Sequence, residues 1–196
     1  MYVAPISFVL EWNGLTLAYS SDTYPNKWWL EHTEGADISI HECFLSSSLL
    51  IEKQGFTPAE ALIVGTQAHT SPEQFGRVMS LTKPRLAVGY HFQNDFDTAP
   101  EIHSRVRKTY DGPLALAEDY MVFNVTRDDV EVRMSAIDEA VWASPPQKEK
   151  QPPDTSKMVP MSEFVRSGGR PMEEVVGKIY AEINERYGTD IEVPGQ

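Results

Sequence analysis

The sequence predicts an α/β fold, a mixed sheet with flanking helices, a C-terminal arm and a last helix. Three observations predict it. An Asn-Gly pair near the start separates two short apolar runs. Helical and strand patterns then alternate through the middle of the chain. A single amphipathic helix follows a proline-rich stretch near the end.

Residues 6–11 and 15–19 are the first apolar runs, with Trp12-Asn13-Gly14 between them. Asn-Gly is a strong hairpin signal, because both positions accept the left-handed backbone that a tight turn needs. The second strand runs into Ser20-Ser21-Asp22-Thr23-Tyr24-Pro25, a polar loop with a proline stop. Residues 26–34 read as a short helix, and 37–41 alternate as a strand that ends in His41-Glu42. Residues 43–65 carry little pattern before Thr57-Pro58-Ala59-Glu60, which has the cap, proline and early acid of a helix start.

The next helix is better marked. Thr70 or Ser71 caps it, Pro72 opens it, and Phe75, Val78, Met79 and Leu81 recur at helical spacing until Lys83-Pro84. Residues 85–90 form an apolar strand with His91 at its C-terminal end. Residues 99–109 read as helical, and Asp111-Gly112-Pro113 as a turn. Residues 120–126 and 129–136 read as two strands joined by Arg127-Asp128. The stretch 144–160 is polar and proline-rich, a linker or surface arm. In the helix at 172–187, Met172, Val175, Val176, Ile179, Tyr180 and Ile183 share one side, and Gly188 stops it. The expected partition is therefore a domain over 1–143, the arm over 144–160 and a helical extension over 161–196.

The 196 residues are enough for one domain with a real core. A formal net charge of -12, from 29 acidic and 17 basic residues, argues against broad nucleic-acid binding, which needs a basic face. Cys43 is the one cysteine, so no disulfide forms within the chain. No apolar run approaches the roughly 20 residues of a membrane helix, so no membrane partner is expected. The first residues lack a signal peptide's basic start and cleavage site, which favours the cytoplasm.

Two loops place chemistry directly after core strands: Asp22 after 15–19, and His91 after 85–90. Strand C-termini are where α/β folds commonly build their sites, and a carboxylate with an imidazole can ligate a metal. Taken singly these residues are weak signals. An aspartate in Ser-Asp-Thr is more often a turn or cap residue, and a lone histidine after a strand is more often a satisfied structural group. His69 precedes a helix N-terminus, and its plain reading is a loop histidine. His41-Glu42 reads either as a pair orienting a ligand or as an ordinary buried strand end.

Ser21-Asp22-Thr23, Ile40-His41-Glu42-Cys43, His69-Thr70-Ser71 and His91-Phe92, in that order, resemble the second half of metallo-β-lactamase-fold enzymes of the ribonuclease Z type. The resemblance covers about residues 6–136. Asp22 through Trp28 and Tyr110 through Leu114 are also similar to a bacterial subgroup that includes the hydrolase of guanitoxin biosynthesis. The resemblance implies half of a four-layer αββα fold. It implies two divalent metal ions, zinc before manganese or iron. Asp22 would bridge them, His91 would be a terminal ligand of the second, and His69 would be catalytic, donating a proton to the leaving group or stabilising an oxyanion. His41, Glu42 and Thr23 would support these residues from behind. The implied reaction is attack of a metal-activated hydroxide on a small ester, lactone, amide or phosphodiester.

The chain departs from the family in one respect. The family's H-x-H-x-D-H signature, which supplies most ligands, is absent, since the histidines stand at 32, 41, 69, 91 and 103. Asp22 and His91 are two ligands where a catalytic zinc site usually has three, so the chain alone is expected to bind metal poorly, its site incomplete or empty. Three readings fit: a fragment of a longer enzyme, one chain of a split enzyme, or a non-catalytic interaction module. A half-fold would leave a sheet face bare, so a homo-oligomer or a complementary N-terminal half is the expected partner, besides a small-molecule substrate.

Overall fold

Asn13 and Gly14 both take left-handed φ values, 52° and 75°. They close β1 (Phe8–Trp12) onto β2 (Leu15–Tyr19) as an antiparallel hairpin. The structure, a computed structural model, describes residues 5–135, 162–170 and 172–193. The arm expected at 144–160 lies outside the described residues.

From β2 the chain repeats one move, a crossover followed by a parallel strand. α1 (Lys27–His32), capped by the Asn26 side chain, leads to β3 (Ile38–Glu42). α2 (Ser47–Gln54), α3 (Pro58–Ile63), a π-helical turn (Val64–Ala68) and α4 (Pro72–Thr82) lead to β4 (Leu86–Tyr90). α5 (Thr98–Val106) leads to β5 (Leu114–Leu116). The sheet order is β1-β2-β3-β4-β5, parallel from β2 onward. A separate hairpin follows, β6 (Met121–Val125) with β7 (Val130–Met134). Last come α6 (Glu163–Gly168) and α7 (Glu173–Tyr187). The fold is thus a mixed α/β sheet with flanking helices.

Four elements were not legible in the sequence: α2, the π-helical turn, β5 and α6. α2 is capped by Ser46 and stopped by Gly55, but its buried face includes Ser47 and Ser48, so it shows no apolar stripe. β5 has three residues, too few for a period to emerge. The two marked helix starts at Thr57 and Ser71 are both full capping boxes, closed by Glu60 and Gln74.

One face of the sheet packs under the helices. Ala18, Cys43 and Ala87 meet Phe75, Val78 and Met79 of α4, Ile102 and Val106 of α5, and Val175, Val176, Ile179, Tyr180 and Ile183 of α7. α7 therefore belongs to the same core as α2 to α5. Arg105 fastens it there, pairing with Glu73, Glu101 and Glu182 at 2.9, 2.6 and 2.7 Å and donating to Ser48 at 3.1 Å.

The other face is only partly covered. Ile38, Leu86 and Val88 pack with Leu17, Phe123, Val125 and Val130, so the β6–β7 hairpin shields the sheet's middle. Phe8, Leu10 and Trp12 share that face, because they stand opposite Tyr19, Leu17 and Leu15. They are 59, 58 and 70% exposed, an uncovered apolar strip along the edge strand. Among the described residues no helix is long and apolar enough to cross a membrane.

Candidate metal centre

β2, β3 and β4 lie side by side and run the same way, so their C-terminal ends open onto one edge. Asp22 follows β2, Glu42 ends β3, and His91 follows β4. Two non-glycine residues turn the chain inward there, Ser21 with φ 57° and His91 with φ 73°. A left-handed backbone costs such residues roughly 1 kcal/mol or more, and it clusters at functional sites where surrounding contacts hold it.

His91 Nδ1 stands 3.2 Å from Asp22 Oδ1. His69 arrives from the loop before α4, and its Nδ1–H donates to Glu42 Oε2 at 2.8 Å. Ligand-capable atoms of Glu42, His69 and His91 all lie within 4.8 Å of one another. Asp22 joins this group through its contact with His91. Four of the residues expected from sequence are therefore together: Asp22, Glu42, His69 and His91.

Glu42 is fully buried and does more than support from behind. Its Oε1 accepts the backbone N–H groups of Thr23 and Thr70, both at 2.9 Å, while Oε2 takes His69. Thr70 Oγ1 donates to the Thr23 carbonyl at 2.7 Å. One carboxylate thus ties the Asp22 loop to the His69 loop and fixes the tautomer of His69, leaving its Nε2 for other partners. Thr23 enters this arrangement through its backbone.

Burial raises the Glu42 carboxyl above its ordinary range, and its bonds from His69, Thr23 and Thr70 only partly offset that. Burial opposes a charged His69. The hydrogen bond and charge of Glu42, then the charge of Asp22, outweigh it and raise the imidazole. The pair therefore holds its proton to higher pH than a free histidine would.

His41 is not brought to this site. Successive strand residues point to opposite sides, and its ring lies in the core, 4.8 Å from the Trp29 ring and 6.2 Å from Phe75. Its Nδ1–H donates to the Glu42 carbonyl at 2.7 Å, and its buried Nε2 has no hydrogen-bond partner among the described residues. The expectation that His41 supports a ligand is corrected accordingly. It is a core histidine, with burial lowering its pKa to about 4.

Phe44 carries no sequence signal, yet its ring stacks on both imidazoles, 4.1 Å from His69 and 5.2 Å from His91. The imidazoles stack on each other at 5.2 Å. A single aromatic two places after Glu42 has no spacing that marks it. Only the meeting of three loops gives it this place.

No family model matches the chain, and no curated protein matches it. Among solved structures it is similar to the metallo-β-lactamase fold protein YhfI from Bacillus subtilis, at 16% identity and a TM-score of 0.44. The likeness covers 57% of this chain and 41% of that one. It is also similar to the short form of human tRNase Z, at 18% identity and a TM-score of 0.41, over 61% of this chain and 38% of that one. The chain spans about two fifths of the length of each.

Proposed function

We propose that this chain is the second half of a metal-dependent hydrolase of the metallo-β-lactamase type. A segment carrying the remaining histidine ligands, on the same or another chain, would complete it. The observation that carries this reading is the convergence of Asp22 and His91, 3.2 Å apart, beside the Glu42–His69 pair. The motif order that resembles the ribonuclease Z group agrees with it.

The residues present fit part of a divalent metal site. Carboxylate and imidazole donors suit zinc, with manganese or iron as alternatives. Asp22 and His91 would hold the ions, and two of them would need further ligands from the missing half. When bound, such ions polarise the attacked group and lower the pKa of water.

The chain's own residues supply the rest. Glu42 holds His69 by Nδ1 and raises its hold on a proton, so His69 can give a proton to the leaving group from Nε2. Phe44 lies against both imidazoles and limits their rotation. The acidic balance favours small esters, lactones, amides or phosphodiesters over RNA.

A second reading draws on the bare strip of Phe8, Leu10 and Trp12. A non-catalytic module would use it to dimerise, whereas in the hydrolase the complementary half's sheet would cover it. Metal content decides between them. Protein assembled with its partner and purified without chelators should hold about two ions per unit; none would favour the module. Asp22→Ala in the assembled protein should abolish hydrolysis, and retained activity would remove the bridging role.

A further inference from the structure

The Asp22 loop is gripped a second time, by the C-terminal segment. Trp28 stacks on Phe164, with centroids 4.3 Å apart and planes at 19°. The indole also occupies the space beside Gly168, where a Cβ would stand 1.7 Å from Trp28 Cζ3. Position 168 therefore accepts only glycine while Trp28 keeps its place. Arg170 N–H donates to the Pro25 carbonyl at 2.8 Å, and Asn26 pairs with Gly169 in an isolated antiparallel bridge. A Cβ at Gly169 would lie 3.2 Å from Tyr24 Cε1. Contacts thus fall on Tyr24, Pro25, Asn26 and Trp28, the residues that follow Asp22-Thr23.

α6 gains little from the core. Gly168 is its one buried residue, and Phe164 is 68% exposed. Asp22 is itself 55% exposed in its side chain, so its own packing does not fix its direction. The loop fixes it, held at Thr23 by Glu42 and Thr70 and beyond Thr23 by the α6 segment.

The geometry points to residues 164–170, with Trp28, as positioning residues for Asp22: the Trp28–Gly168 contact sets where the carboxylate stands relative to His91. This rests on the metal-site reading above, and the test separates the two. The full chain and its Gly168→Ala, Trp28→Ala, Trp28→Phe and Phe164→Ala variants are titrated with zinc against a chromogenic chelator. Hydrogen exchange of the amides within 21–26, Pro25 having none, is followed alongside.

Gly168→Ala and Trp28→Ala should weaken zinc binding about 10- to 100-fold, the range found when a ligand's supporting partner is lost. Exchange at 21–26 should rise while β3 and β4 stay protected. Trp28→Phe should restore both readouts. Unchanged zinc affinity and unchanged exchange at 21–26 would overturn the proposal. If β3 and β4 lose protection in Gly168→Ala, the exposed Phe164→Ala decides by the same two readouts. If the parent takes up no zinc without a complementary half, exchange at 21–26 alone upholds or overturns the positioning role.

Discussion

The Asp22 carboxylate and the His91 imidazole stand 3.2 Å apart, although β3 lies between their strands. Both loops bend inward over the end of β3, through the left-handed residues Ser21 and His91. Neither side chain is buried, so the contact is not part of the core. Asp22→Ala and His91→Ala should leave the thermal midpoint of metal-free protein nearly unchanged, since surface changes usually fall within about 0.5 kcal/mol. In protein assembled with a complementary half, each should lose zinc uptake, measured by elemental analysis. A variant that keeps the parent's zinc places the site elsewhere.

Glu42 accepts three donors in a fully buried position. Glu42→Gln keeps one acceptor oxygen and sets an amide against donors, so it should cost about 1–3 kcal/mol in urea unfolding. It should also lower the His69 pKa, read by NMR titration, because Glu42 raises it. The sign follows. A raised histidine stabilises the fold below its unfolded pKa of about 6.5, and that contribution fades as pH rises through the folded value. Glu42→Gln should therefore lose less stability than the parent on going from pH 6 to pH 8.

His41 works in the opposite direction. Folded, it stays neutral down to about pH 4, whereas in the unfolded chain it takes a proton near 6.5. Acidification through that window therefore favours unfolding, by on the order of 3 kcal/mol in full. Urea midpoints at pH 7 and pH 5 should drop for the parent and drop less for His41→Gln. Equal drops would remove His41 from the acid response.

Arg105 is nearly buried and faces Glu73, which is as well hidden. Arg105→Met should destabilise by about 3–5 kcal/mol, because it takes from the Glu73 charge its nearer cation and leaves Lys108, half-exposed and 3.6 Å away. Arg105→Met combined with Glu73→Met should recover most of that in chemical denaturation. If the double variant is no better than the single, Glu73 is not the source of the cost.

The bare strip of β1 makes a different kind of prediction. Phe8→Ser with Trp12→Ser removes apolar surface already in water, so stability of the isolated chain should change little. Self-association or assembly with a complementary half should weaken, as read by sedimentation. Unchanged assembly would mean that another surface carries it.

Much of the layout was legible locally. Asn13-Gly14, the Thr57 and Ser71 caps, the helical spacing of Phe75, Val78 and Met79, and the long helix ending at Gly188 all rest on bonds within a few residues. Such signals survive in a bare sequence. α2 did not, because its buried residues mix serine with leucine, and neither did β5, because three residues hold no period.

By itself the sequence determined which short stretches become strands and helices, and that Asp22, Glu42, His69 and His91 stand at loop or strand ends. The tertiary structure alone decided that β2, β3 and β4 are neighbours, that Glu42 faces the site while His41 turns into the core, and that Phe44, Arg105 and Gly168 matter. The physical reason is range. Caps and periodicity are written in bonds a turn long, but a site is made by chain ends that meet only after distant segments have packed.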